Sequence, residues 1–281
     1  MLFNKTPATI NQQIDILLQR GCVINDREYA EQCLTRINYY RLAYYFAPFL
    51  EHKGKYKDGT TFERIMRIYD FDRMLRRLIM TYLEEIEIAF RALISNYHAM
   101  KYGALGYLNP SGFDPHHNHQ AFMSKIERLM EVNEKEDFVK HHKNKYGGIM
   151  PVWAAMELFS FGTLTYFFID MKAADKKELM AKSFDLNYRT VEDRLLCLSD
   201  LRNACAHYTR LFANPFTNAP KSADDLGFEP DNTLKTYLAV TRSLYPDKSK
   251  WENEFIPTIE GLIHEYDMVK YMDGYGWKTE E

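Results

Sequence analysis

Apolar side chains along this chain recur mostly at steps of three and four, the period of one helical face, and period-2 alternation is scarce. Thr9 can cap a segment whose apolar residues fall at Ile10, Ile14, Leu17 and Leu18, with Gly21 as its stop. Asn25 or Asp26 can cap the next stretch, which carries Tyr29, Cys33 and Leu34 towards Ile37. The run NYYRLAYYFAPFL (38–50) is apolar almost all round, which predicts a place inside the fold. After a polar loop over 52–60 comes the strongest pattern. From Phe62 to about Met100, positions including Phe71, Leu75, Ile79, Tyr82, Ile86, Phe90 and Ile94 make one continuous stripe. Uninterrupted, such a helix would be about 60 Å long at 1.5 Å per residue, a length that leaves room for a kink. Its outer face would carry Arg64, Arg67, Arg73, Arg76 and Arg77 together with Glu84, Glu85 and Glu87.

Residues 102–119 read as a loop, and a charged helix over roughly 119–146 ends at Gly147-Gly148. A buried helix or helix pair follows over 151–171, then an amphipathic helix over 187–207. Residues 208–232 are loop-like, with weak helices at 233–244 and 249–272. The pattern predicts an all-α protein, with an N-terminal helical extension (1–60) joined to a helical bundle (61–281) in one compact unit.

Composition narrows the class. The 281 residues have room for a sizeable core, and 46% hydrophobic content with 20 Tyr and 18 Phe excludes disorder. Thirty-six Lys+Arg against 39 Asp+Glu give a net charge of −3. Global basicity therefore cannot recruit nucleic acid, although a local basic groove still could. No apolar run approaches a membrane span. The N-terminus, MLFNKTPATINQQ, lacks an apolar run and a small-residue cleavage site, so no secretory signal is expected. Cys22, Cys33, Cys197 and Cys205 contain no C-x-x-C pair, which suggests free thiols in a reducing cytoplasm.

One constellation carries chemistry. In LCLSDLRNACAHYTRLFANP (196–215), Arg202, Asn203 and His207 form R-N-x-x-x-H. On an ideal helix Asn203 and His207 are i,i+4 neighbours, whereas Arg202 lies about 140° from His207. One helical face cannot assemble all three, but a site shared by two copies of the helix could. These residue types suit RNA cleavage without metal. Histidine can take the 2′-OH proton or give one to the departing 5′-oxygen near neutral pH. Arginine matches the negative charge that grows on the phosphorane oxygens. Asn203 can position the phosphate or hold His207 in one tautomer. A single histidine cannot easily be acid and base in one turnover, which is a reason to expect a homodimer. The plain alternative is an Arg and a His that satisfy carboxylates at a solvated helix end.

The wider context weighs against that alternative. R-N-x-x-x-H closing an amphipathic helix resembles the signature of the HEPN superfamily (higher eukaryotes and prokaryotes nucleotide-binding). LRNACAHYTRLFANP (201–215) is similar to the RN-x-x-x-H-x-x-R-L-[WF]-N stretch of Abi-like abortive-infection proteins of the AbiD/AbiF type. Pro151, Trp153, Glu157, Ser160, Phe161 and Gly162 match that family's P-x-W-x-x-x-E-x-x-S-F-G block. INYYRLAYYFAPF (37–49) matches its I-N-Y-Y-R-L block, and YDFDRMLRRLIMTYLEEIEIAFR (69–91) its long helix. The matches run in the family's order from residue 10 to about 215, and the last stretch of about 65 residues matches no block. Tyr208 stands where family members often have His, and Phe212 where Trp is frequent. The resemblance implies a HEPN-like helical bundle, a dimer with both motifs facing a shared cleft, and metal-independent endoribonuclease activity without a cofactor. It also implies phage defence by a toxin-like, growth-inhibiting effector that an antitoxin or small regulatory RNA holds in check. By position, Arg202, Asn203 and His207 become the catalytic set. The competing class is a non-catalytic RNA-binding or partner-binding scaffold on the same bundle.

Other features weigh less. Arg210, Lys140, Lys143 and Lys145 are candidates for tracking an RNA backbone, the lysines from a stretch whose charge Glu131, Glu134, Glu136 and Asp137 dilute. His116, His117 and His119, with Asp114, suit a solvated loop better than a metal site. Arg41, amid aromatics, could serve as an RNA contact, but a structural ion pair, with Glu157 as a candidate partner, is the expectation. Trp153, Phe159, Phe161 and the 166–168 run read as packing. Ser160 lies in S-F-G rather than G-x-S-x-G, and no P-loop is present.

Overall fold

The computed structural model describes residues 6–184, 186–221 and 226–277. The first five residues of the N-terminal stretch and 222–225 of the 208–232 loop lie outside these. Local capping chemistry sets the first elements. Helix α1 (Ile10–Gln19) begins at Thr9, whose hydroxyl and the Gln12 side chain satisfy each other's backbone N–H groups. The chain leaves α1 through Gly21 at φ +88°, a conformation that favours glycine. Asp26 caps α2 (Arg27–Arg36) and Asn38 caps α3 (Tyr39–Phe46). Thr61 opens α4 (Phe62–Tyr102), 41 residues without a break. It runs on unbroken because the apolar stripe keeps its period and no Pro or Gly interrupts it.

The chain then builds α5 (His119–Val132) and α6 (Asp137–Tyr146). The single charged helix expected here is two, parted at 133–136, where Asn133 ends α5. Helix α7 (Val152–Ala155) runs into a 3-10 turn, and Ser160 caps α8 (Phe161–Asp170). Helix α9 (Ala173–Ser183), which the sequence pattern left unassigned, precedes α10 (Tyr188–Ala206). After a long connection come α11 (Leu234–Leu244), the short α12 (Lys248–Lys250), α13 (Ile256–Glu265) and a 3-10 segment over 269–275. The described residues contain no strand, and the fold is all-α.

Helix α4 is the spine. Phe71, Leu75, Ile79, Ile86, Phe90 and Ile94 are buried along it, against α3, α7, α8, α10 and α13. Helix α10 crosses this spine and is held by α8, α9 and α11. One contiguous apolar core runs from Ile14 in α1 to Tyr275 near the C-terminal end of the described chain. None of the described helices is long and apolar enough to cross a membrane.

Several faces differ from expectation. Leu42, Tyr45 and Phe46 of α3 are buried, but Tyr40 and Tyr44 are 71% and 50% exposed. Their i,i+4 spacing puts both on the opposite face, where the Tyr44 hydroxyl bonds that of Tyr40. Arg76, expected outside, is buried beside Asp72 one turn earlier on α4. Phe159, Phe161, Phe167 and Phe168 are core, whereas Trp153 and Tyr166 face outward. His117 is not in a solvated loop: its ring stacks on Phe113 at 4.2 Å and its Nδ1 lies 2.8 Å from Asp170.

Candidate functional site

The R-N-x-x-x-H stretch occupies the last turns of α10. Leu198, Leu201 and Cys205 anchor that turn in the core, which turns Asn203 and His207 outward. His207 is the C-cap, and its N–H donates to the Asn203 carbonyl at 2.9 Å. Beyond it the helix closes with a Schellman turn. Thr209 N–H donates to the Ala204 carbonyl at 2.8 Å, and Tyr208 N–H to that of Cys205 at 3.2 Å. Tyr208 occupies the left-handed position at φ +58°, where glycine is the usual and unstrained choice. Holding a side chain in that region costs about 1–2 kcal/mol. The ring it presents is 66% exposed.

A buried hub fixes the path after Tyr208. The Asp72 carboxylate accepts from Tyr45 Oη at 2.7 Å, Tyr275 Oη at 3.1 Å and the N–H groups of Leu211 and Phe212 at 3.1 Å. Arg76 pairs with Asp72 and donates to the Thr209 carbonyl at 3.1 Å. Burial opposes the Arg76 charge, but the adjacent Asp72 carboxylate outweighs it and holds the guanidinium pKa above its usual value. Arg210 donates to the carbonyls of Tyr44 and Ala213, clasping the turn to α3. Burial pushes its pKa down.

Between α3 and this turn lies a cavity of about 700 Å³, lined by Tyr40, Arg41, Tyr44, His207, Tyr208 and Asn214 among others. Arg41 makes no ion pair with Glu157, which is exposed. Its guanidinium donates to the Tyr208 carbonyl at 2.9 Å and lies 5.9 Å from the centre of that ring. A second cavity of about 610 Å³ shares Arg41 and Tyr208 and extends over α4 past Arg73 and Arg77.

The other candidate residues are placed as follows. Arg202 turns towards α4, where its Nε is 3.6 Å from Glu87, and its Nη1 reaches Asn203 Oδ1 at 3.5 Å. The wall of the His207 cavity includes neither Arg202 nor Asn203. Lys140 and Lys143 pair with Asp137 and Glu134, and Lys145 lies over the Tyr146 ring. None of these lysines lines the cavity. The described residues hold no group of three His, Cys, Asp or Glu placed to bind a metal. Residue spacing did not single out Tyr40, Tyr208 or Asp72. The signals were there: a Tyr pair at i,i+4, a bulky residue at a helix stop, and an Asp–Arg pair at i,i+4.

Comparison with known proteins supports one classification. Residues 32–213 match the Abi-like protein family, and the chain belongs to it. This membership suggests abortive-infection phage defence. No curated protein and no solved structure matches the chain.

Proposed function

We propose that the chain is a metal-independent endoribonuclease of HEPN type, acting in phage defence as a homodimer. The observation that carries this reading is the placement of His207. It stands exposed at the end of α10, on the rim of a cavity lined largely by tyrosines and arginines. The 2′-OH of a bound ribose attacks the adjacent phosphorus, and the 5′-oxygen of the next nucleotide leaves. This gives a 2′,3′-cyclic phosphate and a 5′-hydroxyl. His207 of one copy takes the 2′-OH proton, while the same residue of the second copy returns a proton to the leaving oxygen. Arg202 stabilises the phosphorane and Asn203 orients the reacting groups. Within one chain Arg202 turns to Glu87, away from the His207 cavity, which favours a site completed across two copies. RNA is then the substrate, and an antitoxin or small regulatory RNA the restraining partner.

The test uses purified protein and its His207→Ala variant, incubated with labelled single-stranded RNA and tRNA in EDTA. Fragments ending in cyclic phosphate are expected from the unmutated protein alone. Cleavage that needs added Mg²⁺, or that survives the substitution, overturns the reading. Equal RNA binding by both proteins, with cleavage by neither, favours a non-catalytic RNA-binding scaffold instead.

A further inference from the structure

We propose that the cavity between α3 and the 208–214 turn seats one unpaired nucleotide of an RNA strand. Its base lies against the exposed rings of Tyr40 and Tyr208, its phosphate on Arg41, and its base edge at the Asn214 amide. This rests on the reading of the chain as an RNA-cleaving protein and adds to it where the strand is gripped.

Four observations meet here. First, Tyr208 holds the left-handed position of a helix stop, where glycine would be free of strain. A large ring kept there and left mostly in solvent is not explained by packing. Second, Arg41 and Arg210 both line the cavity, yet their hydrogen bonds go to backbone carbonyls and not to carboxylates. Two guanidinium charges lining one cavity, neither in an ion pair among the described residues, favour an anion. Third, Tyr40 and Tyr44 meet edge to face at 5.2 Å, with their hydroxyls joined at 2.9 Å. That contact braces the Tyr40 ring at the cavity mouth. Fourth, Asn214 lines the cavity, and its side chain makes no hydrogen bond among the described residues. Its amide is free to read a base edge.

Planar rings beside unpaired cations suit the alternating bases and phosphates of single-stranded RNA. A paired base would not offer its face to the rings. The volume, about 700 Å³, lies within the range of small-ligand sites, roughly 300–1,000 Å³. Beyond Tyr208, Arg77 lines the second cavity in reach of a neighbouring phosphate.

The test compares Tyr208→Gly and Tyr40→Ala with their parent, all carrying His207→Ala so that the strand stays intact. The readout is fluorescence anisotropy of a short labelled single-stranded RNA of mixed sequence, and of an equal-length strand of abasic units. Thermal melting and sedimentation run alongside. Tyr208→Gly should melt with its parent and keep its mass, yet bind the mixed RNA about five- to a hundredfold more weakly. Tyr40→Ala should weaken binding in the same sense. On the abasic strand these losses should vanish. Undiminished binding, an equal loss on the abasic strand, or a change in mass that places the ring between two copies overturns the proposal. Base-dependent binding with no cleavage by the unmutated protein keeps the cradle and removes the nuclease reading. Cleavage whose KM is indifferent to Tyr208 does the reverse.

Discussion

Replacing Asp72 with asparagine should cost about 3–5 kcal/mol, the usual loss when one partner of a buried ion pair is removed. Asp72 is fully buried and Arg76 is 4% exposed, so solvent cannot replace the missing charge. The asparagine keeps one acceptor oxygen but turns an amide NH₂ towards a site ringed by donors. Two phenols, two backbone N–H groups and the Arg76 guanidinium all converge there. Against a total stability of about 5–15 kcal/mol the variant should still fold. Urea unfolding gives the global loss. Hydrogen exchange at the Leu211 and Phe212 amides gives the local one, since the group both amides donate to loses its charge and one of its two oxygens. The pair Asp72→Leu with Arg76→Met should recover only part of the stability. It removes the stranded charge but leaves the phenols and N–H groups without an acceptor, at about 1–3 kcal/mol each. A loss below about 1 kcal/mol, or unchanged exchange at residues 211 and 212, would refute the hub.

His98 is fully buried with both ring nitrogens unpartnered, and burial lowers its pKa from 6.5 to about 4. Below pH 6.5 the unfolded chain takes up a proton that the folded chain refuses, so stability should fall from pH 6.5 to 4, by at most about 3 kcal/mol. His98→Phe should flatten that slope in pH-dependent melting; an unchanged slope would assign it to other groups. A Cβ added at Gly274 would lie 2.1 Å from the Phe212 ring, so Gly274→Ala should cost about 1–3 kcal/mol in urea unfolding. All four cysteines are free and buried, and burial pushes Cys22, Cys197 and Cys205 up to about 12. A thiol reagent at pH 8 should therefore label native protein slowly and unfolded protein fully, and fast native labelling would contradict the burial.

Much of the helical plan was legible because capping and periodicity are local. Thr9 and Asp26 each cap the helix that follows, and the α4 stripe reads off its own spacing. Other features depend on neighbours distant in sequence. The Asp72–Arg76 pair is local, but its burial is not, because Tyr45, Thr209 and Tyr275 meet it from other parts of the chain. Arg41 was recognisable as a charge among aromatics, but its partner is a backbone carbonyl, which carries no residue identity. Helix α9 has a weakly amphipathic, charge-rich sequence and is held by tertiary contact with α10. At the site, the motif marks His207, whereas the cavity beside it arises only when α3 comes back against the turn.

The Asp72 hub also orders events in time. Tyr45 and Arg76 lie close to Asp72 in sequence, whereas Tyr275 is 203 residues away. During synthesis at about 5–20 residues per second, the turn bearing His207 emerges several seconds before Tyr275, and before the Gly274 carbonyl that Ala213 bonds. In that interval a nascent chain already carries its motif histidine on an incompletely clamped loop. The last clasp closes only when the segment around residue 275 leaves the ribosome.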